Sequence, residues 1–338
     1  MNHGGNVWQG GAPSDWLDYS ANLRPEGAPR WVRDALTAGM ANIRYYPDPT
    51  MRRARQALAE YLGLEDTQVL PTAGGISAID LTAQLPASGV LLATPCFGEY
   101  EMLCVRHGLR VKKASLLRTR HEIGDPAIQL KDALFEGALV YLCNPLNPVG
   151  AAFSRDQVEK LLGEVEAVNG HLVVDEAFIE YCPQHSVVDL IAYHPRLLVT
   201  GSMTKILGIP GVRLGYLCGQ PEVINQLSGR QITWELSCFA EAVACALPEH
   251  KRDILADCET NARRRAHLLA VDQREIRFRF VFPNTAVHAA GQKTLRRGDT
   301  TLYILHKTAL LYFYFNFQSR EHPKNASLKL FSRTGERV

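Results

Sequence analysis

The residues best suited to chemistry are Lys205 and two that flank it, Ser202 and Arg213. Lys205 lies four residues past the end of an apolar, β-favouring run, where its amine could attack a carbonyl carbon and form a Schiff base. Arg213 is suited to phosphate, because a guanidinium donates two parallel hydrogen bonds to it. An isolated lysine or arginine on a loop is more often solvated surface, so this interpretation depends on what accompanies them.

Asp175 is the second candidate, because it ends another apolar run. A buried, ionised carboxylate needs a partner to offset the loss of its hydration. A cationic pyridinium nitrogen would be one such partner and a magnesium ion another, but no second acidic residue is recognisably placed to share a metal. We therefore expect no metal site.

Asn147 lies in a segment with two Asn-Pro steps, residues 143–150, directly after a third apolar run. Proline biases the residue before it away from the helical region, so the turn is extended and rigid and can aim an amide at a ligand. A structural Asx turn is the other interpretation, and this feature alone favours it.

Gly74 and Gly75 follow a short apolar run and open a predicted helix. Two glycines allow close approach of the backbone, and the helix N-terminus offers free N–H groups to a phosphate. Glycine before a helix is often only a turn, and the spacing matches neither the Walker A nor the Gly-x-Gly-x-x-Gly pattern. A nucleotide-binding α/β protein that used this loop would leave Asp175, Lys205 and Arg213 unexplained.

The elements that must position these residues alternate between strands and helices. Strands are predicted at residues 89–94, 138–143, 171–175 and 197–201, and helices at residues 51–62, 75–85, 99–107 and 154–168. The strand runs are continuous and apolar, so we predict a mainly parallel sheet with helices on both faces. Reactive sites in such sheets lie at the carboxyl ends of the strands. Residues 221–272 are predicted to be largely helical and to lead towards a smaller domain.

The overall composition is that of a globular protein and excludes several classes. Of the 338 residues, 46% are hydrophobic and 21% are charged, which excludes a disordered or fibrous chain. The longest apolar runs, such as Ala309–Phe315, are too short to span a bilayer, and no signal peptide is recognisable. Eight cysteines are scattered without a C-x-x-C pair, which suits a reducing cytoplasm. With a net charge of +2, we expect a cytoplasmic enzyme without a nucleic-acid or membrane partner.

The last 56 residues differ in charge from the rest of the chain. From Pro283 onward, nine Lys and Arg stand against three Asp and Glu, a net charge of +6, whereas the preceding residues carry −4. The segment also contains an aromatic run at residues 312–317. Aromatic and basic residues occur in separate blocks, so a basic small-domain surface with one buried strand is a simpler interpretation than a nucleic-acid- or membrane-binding tail.

In this order and spacing, Asn147, Asp175, Lys205 and Arg213 resemble the fold-type I pyridoxal phosphate enzymes of the aminotransferase superfamily. The resemblance implies an α/β fold with a mainly parallel seven-stranded sheet, helices on both faces and a smaller α+β domain. The domains it implies are an N-terminal arm over residues 1–30 that joins the small domain, a large cofactor-binding domain over residues 31–230, and an interdomain helix with the small domain over residues 231–338.

The resemblance also assigns roles around a bound pyridoxal 5′-phosphate. Lys205 would bind the cofactor covalently and move protons during catalysis. Asp175 would pair with the pyridine nitrogen so that the ring acts as an electron sink, and Asn147 would hydrogen-bond the ring O3′. The residues that would hold the phosphate are Gly74, Gly75, Ser202 and Arg213.

Two aromatic residues complete the implied site. Phe97 matches the aromatic residue that stacks on the ring face, although core packing is the other interpretation. Tyr46 matches the tyrosine that reaches the phosphate of the neighbouring subunit. The resemblance therefore implies a homodimer with shared active sites.

Two relatives within that superfamily compete, threonine-phosphate decarboxylase of cobalamin synthesis and histidinol-phosphate aminotransferase. The segments around His3 and Asn22 look like the decarboxylase, as does Phe178, where the aminotransferases more often have tyrosine. The decarboxylase would convert L-threonine O-3-phosphate to (R)-1-amino-2-propanol O-2-phosphate. We expect His3 and Asn22 to contact this small phosphorylated amino acid, His3 at its phosphate. A flexible N-terminal histidine without function is the alternative.

The resemblance ends near residue 285. The family's arginine for the substrate α-carboxylate, in a Tyr-x-Arg-like stretch, has no recognisable counterpart, and Arg320 and Arg333 are the only candidates. We hypothesise a substituted C-terminus, so a cofactor-binding homologue without turnover is a third alternative beside the two enzymes. Residues 234–237 also depart from the family's usual Asn-containing segment.

Overall fold

The computed structural model describes residues 7–8, 13, 16–17, 21–119, 122–275 and 295–296. Its strands, in chain order, are β1 (Trp16–Leu17), β2 (Val69–Thr72), β3 (Gly89–Thr94), β4 (Val111–Ser115), β5 (Leu117–Thr119), β6 (Glu122–Ile123), β7 (Ala138–Cys143), β8 (His171–Asp175), β9 (Leu197–Ser202), β10 (Gly215–Cys218) and β11 (Leu295–Arg296). Its α-helices are α1 (Arg30–Gly39), α2 (Arg52–Leu62), α3 (Gly75–Thr82), α4 (Glu99–Arg106), α5 (Pro126–Leu130), α6 (Arg155–Ala167), α7 (Met203–Ile206), α8 (Pro221–Ser228), α9 (Cys238–Ala246) and α10 (Lys251–Glu275).

A seven-stranded sheet in the order β2-β10-β9-β8-β7-β3-β4 forms the centre of the described part of the chain. β10 runs antiparallel to both of its neighbours, β2 and β9, and every other pair of neighbours is parallel. The carboxyl ends of the strands other than β10 therefore meet at one edge. This arrangement confirms the predicted α/β class and the mainly parallel sheet. Two short antiparallel ladders, β5–β6 and β1–β11, lie outside it.

Continuous apolar sequence explains the central strands. Every residue of β7 and β9 is buried, and so is every residue of β8 after His171. Strands covered on both faces need no polar side, which is why they show no alternation. At the edge of the sheet, β4 instead exposes Lys112 and Lys113, and exposed lysines keep an edge strand from pairing with another chain.

Local sequence signals fix several helix ends. Ser154 accepts a hydrogen bond from the Gln157 N–H, and the Gln157 side chain accepts one from the Ser154 N–H, which makes a capping box at the start of α6. Ser237 caps α9 by accepting the Ala240 N–H. Gly63 ends α2 with a left-handed φ of 75°.

The predicted elements agree closely with the observed ones. The strands predicted at 89–94, 138–143 and 171–175 are confirmed residue for residue, and the fourth extends one residue further, to Ser202. The four predicted helices are confirmed with shifts of at most three residues at their ends. Residues 221–272 are largely helical, as predicted, in α8, α9 and α10. The domain boundaries stay a prediction, and apart from β11 the segment from residue 283 lies outside the described residues.

Apolar side chains of the sheet and of the surrounding helices form one buried cluster. Tyr100, Tyr141 and Tyr216 are among its largest fully buried side chains. Within the described residues, no helix combines the length and the apolarity that crossing a bilayer requires.

Candidate active site

The register of the sheet gathers the candidate residues at its carboxyl edge. Asp175, the last residue of β8, pairs with Cys143 at the end of β7. Ser202, the last residue of β9, pairs with Gly215 of β10, and Gly215 pairs in turn with Thr72 at the end of β2. The turns that follow β2, β7, β8 and β9 therefore start side by side, as the sequence predicted.

Asp175 is buried and surrounded by hydrogen-bond donors. One carboxylate oxygen accepts the Tyr100 hydroxyl, and the other accepts the Ala177 N–H at 3.1 Å and the Thr200 hydroxyl at 3.4 Å. Burial raises the pKa of Asp175, although these donors and the positive charge of Lys205 act in the opposite direction. A cationic partner would stabilise the ionised form of this buried carboxylate more strongly than a neutral hydrogen-bond donor does. Tyr100 was not among the predicted site residues.

Lys205 lies in the single turn α7, half-buried and directly after β9. Burial lowers the pKa of its amine, the nearby charge of Arg213 lowers it further, and Asp175 partly opposes both effects. No acceptor among the described residues takes a hydrogen bond from Nζ. A lowered pKa increases the fraction of neutral amine, which is the nucleophilic form.

Gly74, Gly75 and Gly215 lie where three turns approach one another closely. Gly74 has a left-handed φ of 83°, and a Cβ there would overlap the guanidinium of Arg213, with Cζ 2.9 Å away. A Cβ on Gly75 would lie 3.3 Å from the Cβ of Ser202. A Cβ on Gly215 would lie 2.5 Å from the carbonyl carbon of Gly74. The predicted phosphate residues thus form one cradle, which side-chain atoms at the glycines would fill.

Arg213 is held against this cradle by two carbonyl oxygens. Nη1 donates to Pro210 O at 3.0 Å, and Nη2 faces Ala73 O at 3.4 Å. Its own backbone has a φ of 63°, a left-handed value that costs free energy in a residue other than glycine and that is concentrated at ligand sites. Burial also lowers the pKa of the guanidinium, so an anion would gain from pairing with it.

The paired strands β9 and β10 pack against the cradle. The ring of Tyr216 fills the space that a Cβ on Gly201 would need. Ser202 is buried, and its hydroxyl lies 2.8 Å from that of Thr204, with either able to donate. The Ser202 hydroxyl lies between β9 and the α3 N-terminus, and its contact with a phosphate stays a prediction.

The two asparagines after β7 have different surroundings. Asn144 is fully buried, and its side chain donates to Phe153 O at 3.2 Å and accepts from Phe153 N at 2.9 Å. This is the structural role that the sequence left open for the segment. The half-buried Asn147 side chain makes no hydrogen bond to any described residue. Its amide therefore remains available to a ligand.

Phe97 follows β3 and belongs to an aromatic group. Its ring meets that of Tyr100 edge to face, with 5.7 Å between the centroids, and Tyr100 stacks on Tyr141 at 5.3 Å. Phe97 is half-buried, whereas the two tyrosines are fully buried. Both interpretations made from the sequence, core packing and ring stacking on a cofactor, remain compatible with this position.

The segment around Asn22 packs against the lysine. The Arg24 N–H donates to the carbonyl oxygen of Lys205 at 3.1 Å. The Arg24 guanidinium also binds both carboxylate oxygens of Asp257 on α10, each at 3.1 Å. Asn22 lies two residues before this anchor and is half-buried. Its contact with substrate stays a prediction.

The remaining predicted residues do not join this group. Tyr46 is 82% exposed and stacks on Trp234, with 4.7 Å between the ring centroids. No hydrogen bond or ring contact joins it to the site within the described part of the chain, and its role at a neighbouring subunit stays a prediction. His3, Arg320 and Arg333 lie outside the described residues.

The residues present fit pyridoxal phosphate. They provide an amine with a lowered pKa, a buried carboxylate for a cationic nitrogen, an unpartnered amide, and a cradle of glycine, serine and arginine for a phosphate. Fold and site together define a fold-type I pyridoxal phosphate enzyme.

Comparisons with known proteins agree with this class. The family described as aminotransferase class I and II matches residues 15–274. The threonine-phosphate decarboxylase of Salmonella typhimurium is 30% identical over 251 residues, which cover 70% of this chain and 67% of that protein. The histidinol-phosphate aminotransferase of Aeromonas hydrophila is 33% identical over 223 residues, which cover 65% of this chain and 59% of that protein. The crystal structure of the histidinol-phosphate aminotransferase from Clostridium acetobutylicum has a TM-score of 0.66 at 28% identity, covering 75% of this chain and 77% of that one.

The chain belongs to the aminotransferase class I and II family. The fold-type I class and the cofactor pyridoxal phosphate, both expected from the sequence, are thereby confirmed. A putative threonine-phosphate decarboxylase of Caldanaerobacter subterraneus is 31% identical over 250 residues, and the chain spans only 65% of the length of that relative.

Proposed function

We propose that the chain catalyses the decarboxylation of L-threonine O-3-phosphate to (R)-1-amino-2-propanol O-2-phosphate, a step of cobalamin synthesis. The observation that carries the proposal is the buried Phe178, three residues after Asp175. With phenylalanine there, no hydroxyl is offered to the cofactor O3′ from this position, and Asn147 is left as the main donor. The likeness to the Salmonella decarboxylase supports the same conclusion.

Binding follows from the cradle. Arg213 and Ser202 would hold the cofactor phosphate together with the N–H groups of the first turn of α3, which have no acceptor within the helix. Asp175 would bind the pyridine nitrogen, and the positive charge gained there would offset the desolvation of its carboxylate. Phe97 would cover the ring face.

In the proposed reaction, one residue holds a proton on the ring nitrogen and another transfers a proton to the substrate Cα. When bound, pyridoxal phosphate supplies an electron sink for the negative charge left on the substrate Cα. Asp175 keeps the proton on the ring nitrogen. Once carbon dioxide has left, the protonated Lys205 amine would deliver its proton to Cα and return to the neutral form. The groups that orient the substrate α-carboxylate would decide between decarboxylation and transamination.

A histidinol-phosphate-type aminotransferase is the second candidate. It is favoured by the Aeromonas relative, whose identity to this chain is as high as that of the decarboxylase. In that reaction Lys205 would remove a proton from the substrate Cα. In the decarboxylation it would instead deliver a proton to Cα at the position that the carboxylate has left.

Incubation of the purified protein and pyridoxal phosphate with carboxyl-labelled L-threonine O-3-phosphate tests the proposal. We expect labelled carbon dioxide from the wild type and none from Lys205→Ala. A parallel reaction with histidinol phosphate and 2-oxoglutarate, followed by glutamate formation, tests the aminotransferase. Glutamate without carbon dioxide would replace the first function by the second. If neither product forms while the cofactor still gives the absorbance of a lysine-bound form, the homologue without turnover is the correct description.

We also propose a homodimer. Large exposed apolar residues cluster in two neighbouring segments, residues 40–46 and 232–234, which the stacked rings of Tyr46 and Trp234 join. An apolar patch of this kind is typical of a protein interface. The location of the protein in the cytoplasm stays a prediction.

A further inference from the structure

The loop between α8 and α9, residues 229–237, is attached to the turn that forms the cradle. Gln231 Nε2 donates to Pro71 O at 2.7 Å. Glu235 Oε1 accepts the Ala73 N–H at 2.9 Å and also accepts the Ser77 hydroxyl. One carboxylate oxygen thus connects the residue before Gly74 to the first turn of α3.

The backbone of this loop is held in an unfavourable conformation directly before Glu235. Trp234 has a φ of 61°, which a bulky residue rarely adopts. Such a conformation persists only where the surroundings fix it, and here they are the Tyr46 ring on one side and the Glu235 hydrogen bonds on the other. The loop is therefore shaped to bring this carboxylate to the turn.

The position of Ala73 links Glu235 to Arg213. The Ala73 N–H points to Glu235, whereas its carbonyl oxygen faces the Arg213 guanidinium. The same guanidinium lies against Gly74. Glu235 thus sets the orientation of the segment on which Arg213 rests, while the free N–H groups at the start of α3 remain available to a phosphate.

The charge of Glu235 cannot be the reason for its presence, because a carboxylate near a phosphate dianion repels it. What the cradle needs from this side chain is an acceptor that orders the Ala73 peptide and the Ser77 hydroxyl. We propose that Glu235 is a positioning residue for the cofactor phosphate, acting through Ala73 and Ser77 as a hydrogen-bond acceptor. This inference rests on pyridoxal phosphate binding at Lys205, but not on which reaction follows.

Cofactor titration of the apoprotein separates this role from others. The absorbance of the lysine-bound form gives Kd for pyridoxal phosphate and, separately, for pyridoxal, which lacks the phosphate. For Glu235→Ala we expect Kd for pyridoxal phosphate to rise about tenfold, the order of magnitude expected when a hydrogen bond is lost. Pyridoxal should bind as it does to the wild type. Glu235→Gln keeps the acceptor and should stay within about twofold of the wild type for both compounds.

Two further variants complete the experiment. Glu249→Ala removes an exposed carboxylate beyond α9 and should change neither Kd. Ser77→Ala removes one of the two hydrogen bonds to Glu235, so we expect Kd to rise a few-fold for pyridoxal phosphate and to stay unchanged for pyridoxal. This variant replaces Glu235→Ala in the experiment if Glu235→Ala does not fold. An equal loss of pyridoxal and pyridoxal phosphate, an unchanged Kd in Glu235→Ala, or equal losses in the Ala and Gln variants would overturn the proposal. If the wild type binds the cofactor but releases no carbon dioxide, the proposed role of Glu235 is unaffected and only the proposed function fails. If the wild type binds no cofactor, both proposals are refuted.

Discussion

At the scale of single residues, burial shifts the two central ionisable groups in opposite directions. Burial raises the pKa of Asp175 and lowers that of Lys205, because in each case it makes the charged form more costly. Each group is therefore prepared for its predicted partner, the carboxylate for a cation and the amine for a carbonyl carbon. The hydroxyls of Tyr100 and Thr200 keep the carboxylate in place until a cation arrives.

We expect Asp175→Asn to retain bound cofactor but to lose carbon dioxide release by about a hundredfold or more, because an amide does not hold the proton on the ring nitrogen. Steady-state kinetics with carboxyl-labelled substrate provide the measurement. Asp189→Asn is the control, since Asp189 pairs with Arg155 at the surface. Full activity in Asp175→Asn would contradict the role given to this carboxylate.

The lowered pKa of Lys205 has a pH signature. Only the neutral amine reacts, so the rate of cofactor binding should rise with pH through the pKa of Lys205, with a midpoint below the ordinary value of lysine. Arg213→Ala removes a positive charge that lowers this pKa and should move the midpoint up, whereas Asp175→Asn removes a negative charge that raises it and should move the midpoint down. Stopped-flow mixing with pyridoxal phosphate across a pH series measures both shifts. Shifts in the same direction would show that these charges do not act on the amine.

Most candidate residues could be named from sequence because they lie at the end of a predicted strand or within a few residues of one. Tyr100 and Glu235 were not assigned, because their partners lie far away in the chain. Tyr100 is 75 residues from Asp175, and Glu235 is 162 residues from Ala73. Spacing in sequence carries no information about contacts that only the folded sheet creates.

At the scale of elements, the turn between β2 and α3 decides whether a phosphate can be held. Two glycines with positive φ provide a comparison: Gly74 in this turn has φ 83° and ψ 167°, and Gly63 at the end of α2 has φ 75° and ψ 34°. A Cβ on Gly63 would meet nothing within 4 Å, whereas one on Gly74 would meet the Arg213 guanidinium.

We expect Gly63→Ala to lose about 1 kcal/mol of unfolding free energy from backbone strain, and Gly74→Ala to lose more, because its φ and ψ together lie in a region that is essentially restricted to glycine. Gly74→Ala should in addition raise Kd for pyridoxal phosphate at least tenfold, since it displaces Arg213. Denaturant unfolding and cofactor titration measure the two effects separately. Equal cofactor affinity in the two variants would mean that Arg213 does not depend on this glycine.

The central strands could be predicted because burial on both faces leaves a continuous apolar run. β4 was not identified, since its exposed lysines interrupt that pattern, and neither was β10, which has only four residues. The order of the strands and the antiparallel direction of β10 arise from tertiary packing, which single-sequence patterns do not contain.

At the scale of the whole molecule, the exposed patch of residues 40–46 and 232–234 predicts how copies of the chain associate. Ile232 lies in this patch and is 78% exposed, and Ile128, on α5, is 73% exposed and provides a control. We expect the wild type to have twice the mass of one chain and Ile232→Glu to be largely monomeric, because an interface would bury an unpaired charge. Light scattering after size-exclusion chromatography gives the masses. A monomeric wild type, or equal masses for Ile232→Glu and Ile128→Glu, would contradict this interface.

The crowding of β9 against β10 also affects how related sequences should be interpreted. Gly201 lies under the Tyr216 ring and Gly215 against the backbone of Gly74, so neither position accepts a side chain without moving the sheet. Selection would keep both glycines even in a descendant that had lost its catalytic activity. Invariance at these two positions during divergence is therefore a mark of steric constraint, whereas loss of Lys205 or Asp175 from a lineage would mark the loss of the chemistry itself.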